Sequence, residues 1–254
     1  LQEIKFNTGY CYVDLDATWG DRCATNDKYL YLKDKGVIII SLFHDTIPLD
    51  NPEFCHKNTT LNWLQDCAAK ILFADMLLAT NPVVKEKLIN LSKRLKIKKP
   101  IVHVIPLGCD IPCQNNIISP KLDFGNYCLF VGTIEPRKGV DTLLESFDRW
   151  IDLGIKTSLV IVGKIGWDVE ELKDRIKNHR YYNKYLFWLD KVDDEELSSL
   201  YTHCEYTINL SHNEGYGLPI VESILFGKTP VCTPINIFKY VSQGLALHPE
   251  TRLP

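Results

Sequence analysis

The stretch that most restricts the fold of this chain is residues 205–234, EYTINLSHNEGYGLPIVESILFGKTPVCTP. A short β-rich run leads into a loop with two glycines, which is followed by an apolar periodic segment and a second β-rich run. Pro219 favours the first turn of a helix, where the amide that proline lacks would have no intrahelical partner. Gly227 is typical of the left-handed residue that ends many helices. The order strand, loop, helix, strand therefore predicts an α/β repeat.

The start of this predicted helix suits an oxygen-rich ligand. The amides of Tyr216, Gly217 and Leu218 are expected to lie at the positive end of the helix dipole, where a phosphate binds readily. Glu214 precedes these amides and Glu222 follows one turn later. The two carboxylates would repel a lone phosphate, but they could accept hydrogen bonds from hydroxyls on either side of a diphosphate, as in a nucleotide sugar. The alternative is that both are ordinary glutamates of a first helical turn, which the dipole also favours.

The segment NEGYGLPIVESILFGKTPV resembles the signature of the retaining GT-B glycosyltransferases, specifically glycosyltransferase family 4 (glycosyl transferases group 1). In that signature two glutamates with seven residues between them bracket a G-F/Y-G-L-P core, and G-x-P-V follows the helix. Glu214 and Glu222 have this spacing. The resemblance implies an α/β fold of two Rossmann-like, doubly wound domains that face each other across a cleft.

The composition is that of an ordinary globular protein. The 254 residues carry a net charge of −3, so the sequence does not favour a nucleic-acid partner. No apolar run reaches the length of a transmembrane helix, and no secretory signal peptide is visible. Nine cysteines without a C-x-x-C pair argue against a zinc site and fit free, mostly buried thiols in a reducing compartment. We therefore expect no metal, no cofactor and a cytoplasmic location.

Strand-like and helix-like runs alternate along the whole chain. The unbroken apolar run at 36–43 predicts a strand of a parallel sheet that is buried on both faces. We also predict a helix over 82–95, a turn-rich loop over 47–55 with its two prolines, a strand over 127–131, and Asp193 as a helix cap. This alternation predicts two doubly wound α/β units.

Residues 108–124 lack periodicity and carry turn residues, so we place a domain boundary there. The predicted domains are 1–115, on the acceptor side, and 116–254, which binds the nucleotide sugar. The family's Gly-rich loop does not precede the first strand, and the sequence stops soon after Phe238. It also begins with Leu rather than Met. We therefore expect both domains to be incomplete at the chain ends, in a fragment or a reduced member of the family, and turnover by these residues alone to be in doubt.

The resemblance extends to the segment VGTIEPRKGVDTLLESF, which looks like the opening of the family's C-terminal domain. There a basic pair binds the donor diphosphate, a role that the resemblance assigns here to Lys138, with Arg137. Many members have Gly-Arg where this chain has Gly132 and Thr133, and a subgroup has G-T-x-E-P-R-K, as here. From the residues alone, two cations in a strand-end loop suit a diphosphate, although a solvated turn is the common alternative.

The upstream segment SLFHDTIPLDNPEF is similar to the family's H-D-x-I-P stretch, in which the histidine faces the donor sugar and the acceptor. His44 takes that place here. It follows a predicted buried strand, where ligands of α/β sheets bind. A purely structural histidine is the alternative explanation.

By resemblance, the chain transfers a mannose- or glucose-type hexose from a nucleoside-diphosphate sugar to an acceptor hydroxyl with retention of configuration, in polysaccharide or glycolipid assembly. The acceptor would be a saccharide or a lipid-linked sugar. The expected catalytic residues are Glu214, His44 and Lys138. The expected donor-binding residues are Arg137, Lys138, Thr133, Gly132, Gly215, Tyr216, Gly217, Leu218 and Glu222.

Other functions remain open at this level. A GT-B epimerase or hydrolase of nucleotide sugars would act without an acceptor, and a non-catalytic module would bind the donor without releasing nucleoside diphosphate. An NAD-dependent Rossmann enzyme is disfavoured because no G-x-G-x-x-G follows a strand. The basic cluster Lys93–Lys99 is either a solvated helix end or an electrostatic contact, with a phosphorylated acceptor or with anionic lipid at the inner face of the membrane.

Overall fold

The computed structural model describes residues 8–15, 25–97, 100–109, 120 and 123–249. The chain divides into two compact units, Leu1–Leu107 and Gly108–Pro254. The boundary that the sequence predicts, between residues 115 and 116, lies outside the described residues.

The first unit is a parallel α/β layer structure. Its described strands form one sheet in the order β1-β2-β3-β4, and every neighbouring pair is parallel. Buried side chains such as Phe43, Leu77 and Leu88 pack around Trp63 to form its main core. The elements are β1 (Cys11–Asp14), α1 (Thr25–Asp34), β2 (Ile38–Phe43), α2 (Ile47–Asp50), α3 (Lys57–Phe73), β3 (Met76–Ala79), α4 (Pro82–Arg94) and β4 (Val102–Val104).

The segment after β2 differs from the sequence-based expectation of a turn-rich loop. It forms the short helix α2 and a 3-10 turn over Pro52–Phe54. Both begin with a proline in the first turn, where its missing amide costs nothing. The Asp45 carboxylate accepts a hydrogen bond from the Ile47 amide at 2.9 Å, which supports the first of these turns. Prolines therefore mark helix starts in this segment.

The second unit contains a five-stranded parallel sheet in the order β7-β6-β5-β8-β9. The strand at which the chain enters the sheet, β5, lies at its centre, and the order reverses between β5 and β8. In open α/β sheets, ligands bind at such a reversal, beyond the carboxyl ends of the strands. The elements are β5 (Tyr127–Val131), α5 (Val140–Asp152), β6 (Ser158–Val162), α6 (Glu170–Lys177), β7 (Leu186–Leu189), α7 (Asp194–His203), β8 (Tyr206–Asn209), α8 (Leu218–Leu225), β9 (Pro230–Cys232) and α9 (Asn236–Ser242).

The side chains of β5 alternate between two cores, one on each face of the sheet. Cys128 and Phe130 join a cluster that contains Phe147 of α5. Tyr127 and Leu129 join a cluster on the other face, together with residues of α7. Both faces of the central strand are thus buried, which explains its continuous apolar sequence.

The predicted cap of α7 is confirmed: the Asp193 carboxylate accepts a hydrogen bond from the Glu196 amide at 2.8 Å. Within the described parts of the chain, no helix has the length and apolar character that crossing a membrane requires.

Candidate active site at the centre of the second sheet

Two loops meet where the strand order of the second sheet reverses. The first, residues 132–139, follows β5, and the second, residues 210–217, follows β8. Since β5 and β8 are parallel neighbours, both loops leave the same edge of the sheet. The backbone amide of His212 donates to the carbonyl of Arg137 at 2.9 Å and so joins the two loops directly.

Gly139 makes this close approach possible. Its φ is +65°, and a Cβ atom added there would lie 2.3 Å from the Leu210 carbonyl oxygen. A side chain at this position would therefore force the two loops apart and would strain the backbone. Gly139 comes directly after Lys138, so the packing of one loop against the other also fixes where the predicted cations lie.

The loops bring together a group of charged and polar side chains that we call the Glu214 cluster: Glu135, Arg137, Lys138, Ser211 and Glu214. The Glu214 carboxylate accepts hydrogen bonds from the Arg137 guanidinium, the Lys138 ammonium and the Ser211 hydroxyl, each at 2.7 Å. Arg137 also donates to Glu135 at 2.5 Å and to the Asn213 carbonyl at 2.8 Å. The side chains of Arg137, Lys138 and Glu214 are only 15%, 14% and 10% exposed.

Electrostatics holds Glu214 in its charged form. Burial by itself would raise the pKa of this carboxyl, but Lys138 and Arg137 outweigh burial, and the pKa of Glu214 is lowered. The cluster is therefore an ionised, largely desolvated arrangement in which two cations share the Glu214 carboxylate and Arg137 also pairs with Glu135. Because the interior screens charge weakly, these cations can act strongly on an anionic ligand at the same edge.

The residues that the sequence predicts as donor-binding at 215–218 surround the start of α8. Gly217 is buried with φ +92°, and a Cβ atom there would lie 2.8 Å from the Phe238 ring. Helix α8 begins at Leu218, with Pro219 in its first turn as predicted, and the Ile220 amide donates to the Gly217 carbonyl at 3.0 Å. Gly215 and Tyr216 are half-buried in the loop before the helix. A non-glycine residue at position 217 could not lie this close to Phe238 of α9 without strain.

Glu222 lies outside the Glu214 cluster. Its Oε2 atom accepts a hydrogen bond of 2.5 Å from the hydroxyl of Tyr201, a fully buried residue of α7. Burial raises the pKa of Glu222, and the hydrogen bond from Tyr201 partly offsets that effect.

The remaining predicted site residues lie in the following places. The Gly132 amide donates to the Val162 carbonyl at 2.9 Å, and Thr133 is exposed in the same loop. His44 belongs to the first unit, at the end of β2, where its Nε2 atom lies 2.9 Å from the Leu15 carbonyl oxygen. Its own carbonyl accepts a hydrogen bond from the Thr80 hydroxyl at 2.9 Å.

Sequence reasoning predicted Arg137, Lys138 and Glu214 one by one, and the structure joins them in one network. Sequence reasoning did not predict Glu135 and Ser211 as members of that network, nor Tyr201 as the partner of Glu222. Glu135 lies inside the T-I-E-P-R-K segment, so its place beside two cations was a usable signal. In the part of the chain that the structure describes, no group of three or more His, Cys, Asp or Glu side chains could hold a metal ion.

Comparisons with known proteins agree with this architecture. WaaG, a glycosyltransferase involved in lipopolysaccharide biosynthesis, has a similar fold, with a TM-score of 0.60 at 15% identity over 84% of this chain and 64% of WaaG. The pneumococcal O-GlcNAc transferase GtfA, solved in complex with UDP and GlcNAc, gives a TM-score of 0.57 at 17% identity over 82% of this chain and 39% of GtfA. The chain thus has the GT-B class of α/β fold, with Rossmann-like units.

A sequence profile described as glycosyl transferases group 1 matches residues 116–243, half of the chain. The chain belongs to this family. It is similar to the serotype-specific mannosyltransferase WbdA of Escherichia coli, at 30% identity over 225 residues, or 82% of this chain. The chain spans about a quarter (27%) of the length of that relative.

Proposed function

We propose that this chain carries the donor site of a retaining hexosyltransferase, which moves a mannose- or glucose-type sugar from a nucleoside-diphosphate donor to an acceptor hydroxyl in polysaccharide or glycolipid assembly. Membership in the glycosyl transferases group 1 family supports this proposal. The similarity to a mannosyltransferase supports a hexose such as mannose. The UDP in the solved structure of GtfA supports a nucleotide-sugar donor.

The observation that carries the proposal is the Glu214 cluster. Two cations and two carboxylates lie in one network at the point where the strand order reverses, which is the position of ligand sites in this class of sheet. Lys138 and Arg137 are held by Glu214 at hydrogen-bond distance, so their charges are placed before a ligand arrives.

In the proposed reaction, the bond between the sugar's anomeric carbon and a phosphate oxygen breaks, and negative charge builds up on the leaving diphosphate. Lys138, with Arg137, would neutralise that charge. Placed charges of this kind usually provide the largest share of catalysis, because they need no reorganisation as the reaction proceeds. We propose no bound metal and no cofactor, since the two cations and the start of α8 can stabilise the diphosphate.

The other predicted residues complete the donor site in this proposal. The backbone from Gly215 to Leu218 would hold phosphate and sugar oxygens, and Gly132 and Thr133 would border the diphosphate. Glu214 would accept hydrogen bonds from hydroxyls on the reacting sugar, and Glu222 would bind the ribose. We assign no general base, because the leaving phosphate itself can accept the acceptor's proton.

On the acceptor side, we propose that His44 contacts the sugar or the acceptor, which would be a saccharide or a lipid-linked sugar. We also propose a cytoplasmic location with a peripheral contact to anionic lipid through Lys93–Lys99. Lys93 and Arg94 form the exposed last turn of α4, and Lys96 is exposed just beyond it. Co-sedimentation with vesicles of anionic phospholipid tests this contact: replacing Lys93, Arg94 and Lys96 with glutamine should release the chain, and unchanged binding would refute it.

Calorimetric titration with a panel of nucleoside diphosphates and nucleotide sugars tests the donor site. We expect one nucleotide class to bind, and Lys138→Ala to weaken that binding about 10- to 100-fold, the value of a hydrogen bond to a charged group. Lys173→Ala is the matched control, because Lys173 lies on the surface in an ion pair with Glu170. If Lys138→Ala and Lys173→Ala bind every nucleotide equally well, the Glu214 cluster is not the diphosphate site.

Product analysis then separates transfer from the other functions. Incubation with the donor and a series of saccharide acceptors should give nucleoside diphosphate and a lengthened saccharide. Free sugar or an epimer without dependence on the acceptor would identify a hydrolase or epimerase. Donor binding without release of nucleoside diphosphate would identify a binding module.

A further inference from the structure

Glu222, the residue proposed to bind the ribose, has a buried partner that is not among the proposed donor-site residues. Tyr201 lies near the end of α7 with no exposed surface, and its hydroxyl donates to Oε2 of Glu222 at 2.5 Å. Within the described residues, the structure gives Oε1 of Glu222 no hydrogen-bond partner. One oxygen of the carboxylate is therefore held from inside the protein and the other is available.

Tyr201 holds α8 at two points. Its ring stacks on the ring of Phe226, with centroids 5.3 Å apart and planes inclined by 12°. Phe226 directly follows α8, and its amide donates to the carbonyl of Glu222, four residues earlier, at 3.1 Å, so the two residues lie on the same side, one turn apart. A single side chain thus packs against the residue that caps the end of α8 and hydrogen-bonds to the turn before it. This arrangement restricts the rotation of the Glu222 side chain.

Electrostatics agrees with the direction of this hydrogen bond. Burial raises the pKa of the Tyr201 phenol well above its usual value, and the nearby Glu222 carboxylate raises it further. The phenol therefore keeps its proton and acts as the donor. A buried hydroxyl needs a hydrogen-bond partner, and Glu222 is the partner here. Phenylalanine would fill the same space without making this contact.

We infer that Tyr201 is a positioning residue for nucleoside recognition: its hydroxyl fixes Glu222 so that the second carboxylate oxygen accepts a hydrogen bond from a ribose hydroxyl of the donor. This inference rests on the proposed function, in which Glu222 binds the ribose. If the inference holds, the contact between α7 and α8 selects ribonucleotides over nucleotides that lack the ribose hydroxyls.

The test is the ratio of two dissociation constants, measured by calorimetry on the 254-residue chain. The probes are the nucleoside diphosphate that binds best in the donor panel and its 2′,3′-dideoxy analogue. We expect the wild type to prefer the ribonucleotide by about tenfold or more, the value of a hydrogen bond to a charged group. In Tyr201→Phe, we expect the preference to fall to about threefold or less, mainly because the ribonucleotide binds more weakly.

Tyr127→Phe is the matched control. Tyr127 lies in the same buried cluster, and its hydroxyl donates to the Leu200 carbonyl at 2.8 Å, next to Tyr201 in the sequence. Both variants lose a buried hydroxyl, but only Tyr201→Phe loses a contact with Glu222. The control should therefore keep the wild-type preference, and circular dichroism should show both variants folded.

The outcomes separate the inference from the proposed function. If Tyr201→Phe binds both nucleotides more weakly by the same factor, Tyr201 has only a structural role and the inference is wrong. If its preference equals that of the wild type, the inference is also wrong, although the donor site stands. If the wild type binds no nucleoside diphosphate, the proposed function fails and the inference fails with it. If Tyr201→Phe does not fold, Phe226→Leu, which removes the stacking partner, must lower the preference, and an unchanged preference overturns the inference.

Discussion

Replacing Glu214 with alanine removes the carboxylate that three side-chain donors share. In the wild type this carboxylate accepts hydrogen bonds from Arg137, Lys138 and Ser211, each at 2.7 Å. After the change, Arg137 keeps its contact with Glu135, whereas Lys138 has no other ion pair within the described residues. The variant therefore leaves one largely buried ammonium group without its partner.

The cost follows from that geometry. Removing one partner of a buried ion pair destabilises a protein by about 3–5 kcal/mol, because the other charge remains desolvated. The Lys138 side chain is 14% exposed and Arg137 stays paired, so we expect the low end of that range, about 3 kcal/mol. For a unit of this size, the melting temperature should fall by about 6–12 °C.

Urea denaturation, followed by circular dichroism and tryptophan fluorescence, measures this change in the free energy of unfolding. Glu170→Ala is the control: its carboxylate pairs with Lys173 at 2.8 Å, but its side chain is 76% exposed. An exposed pair contributes about 0–1 kcal/mol, so this variant should be close to the wild type. A loss below about 1 kcal/mol in Glu214→Ala would refute the reasoning, because it would mean that the cluster is well solvated in solution.

Two further predictions concern the same loops. Gly139→Ala should destabilise the chain by at least about 2 kcal/mol and weaken nucleotide binding, because its Cβ atom would meet the Leu210 carbonyl. Gly154→Ala also has a positive φ but meets no atom within 4 Å, so equal urea midpoints for these two variants would contradict the account. The second prediction concerns pH: the pKa of Glu214 is lowered in the folded chain, so its stabilising effect is present above the pKa of an unfolded glutamate and is lost as the pH falls through the folded pKa. The stability difference between the wild type and Glu214→Gln should shrink on acidification, and a difference that stays constant down to pH 3 would count against it.

The local structure of the second unit could be predicted from the sequence to a large extent. The strand Tyr127–Val131 has the predicted bounds, because its continuous apolar run is buried on both faces. Pro219 lies in the first turn of α8, and Gly227 follows that helix with φ +69°, as their backbone preferences predict. The prediction of a turn-rich loop after His44 was wrong, because the prolines of that segment start helical turns instead of interrupting them.

The contacts of the site could not be predicted in the same way. Lys138 and Glu214 are 76 residues apart, and they meet because β8 pairs with β5 after the chain has formed β6 and β7 on the other side. The contact between Tyr201 and Glu222 depends on how α7 and α8 pack, which the periodicity of either helix does not specify. Sequence patterns predicted the elements and the chemical types, and the strand order determined which side chains meet.

The most direct test of the central claim is a crystal structure of the chain with the nucleoside diphosphate that binds best in titration. We predict phosphate oxygens at about 2.7–3.2 Å from the Lys138 ammonium and the Arg137 guanidinium, with the ribose beside Glu222. A nucleotide bound elsewhere, with Lys138 and Arg137 still paired only within the Glu214 cluster, would contradict the assignment of this cluster as the donor diphosphate site.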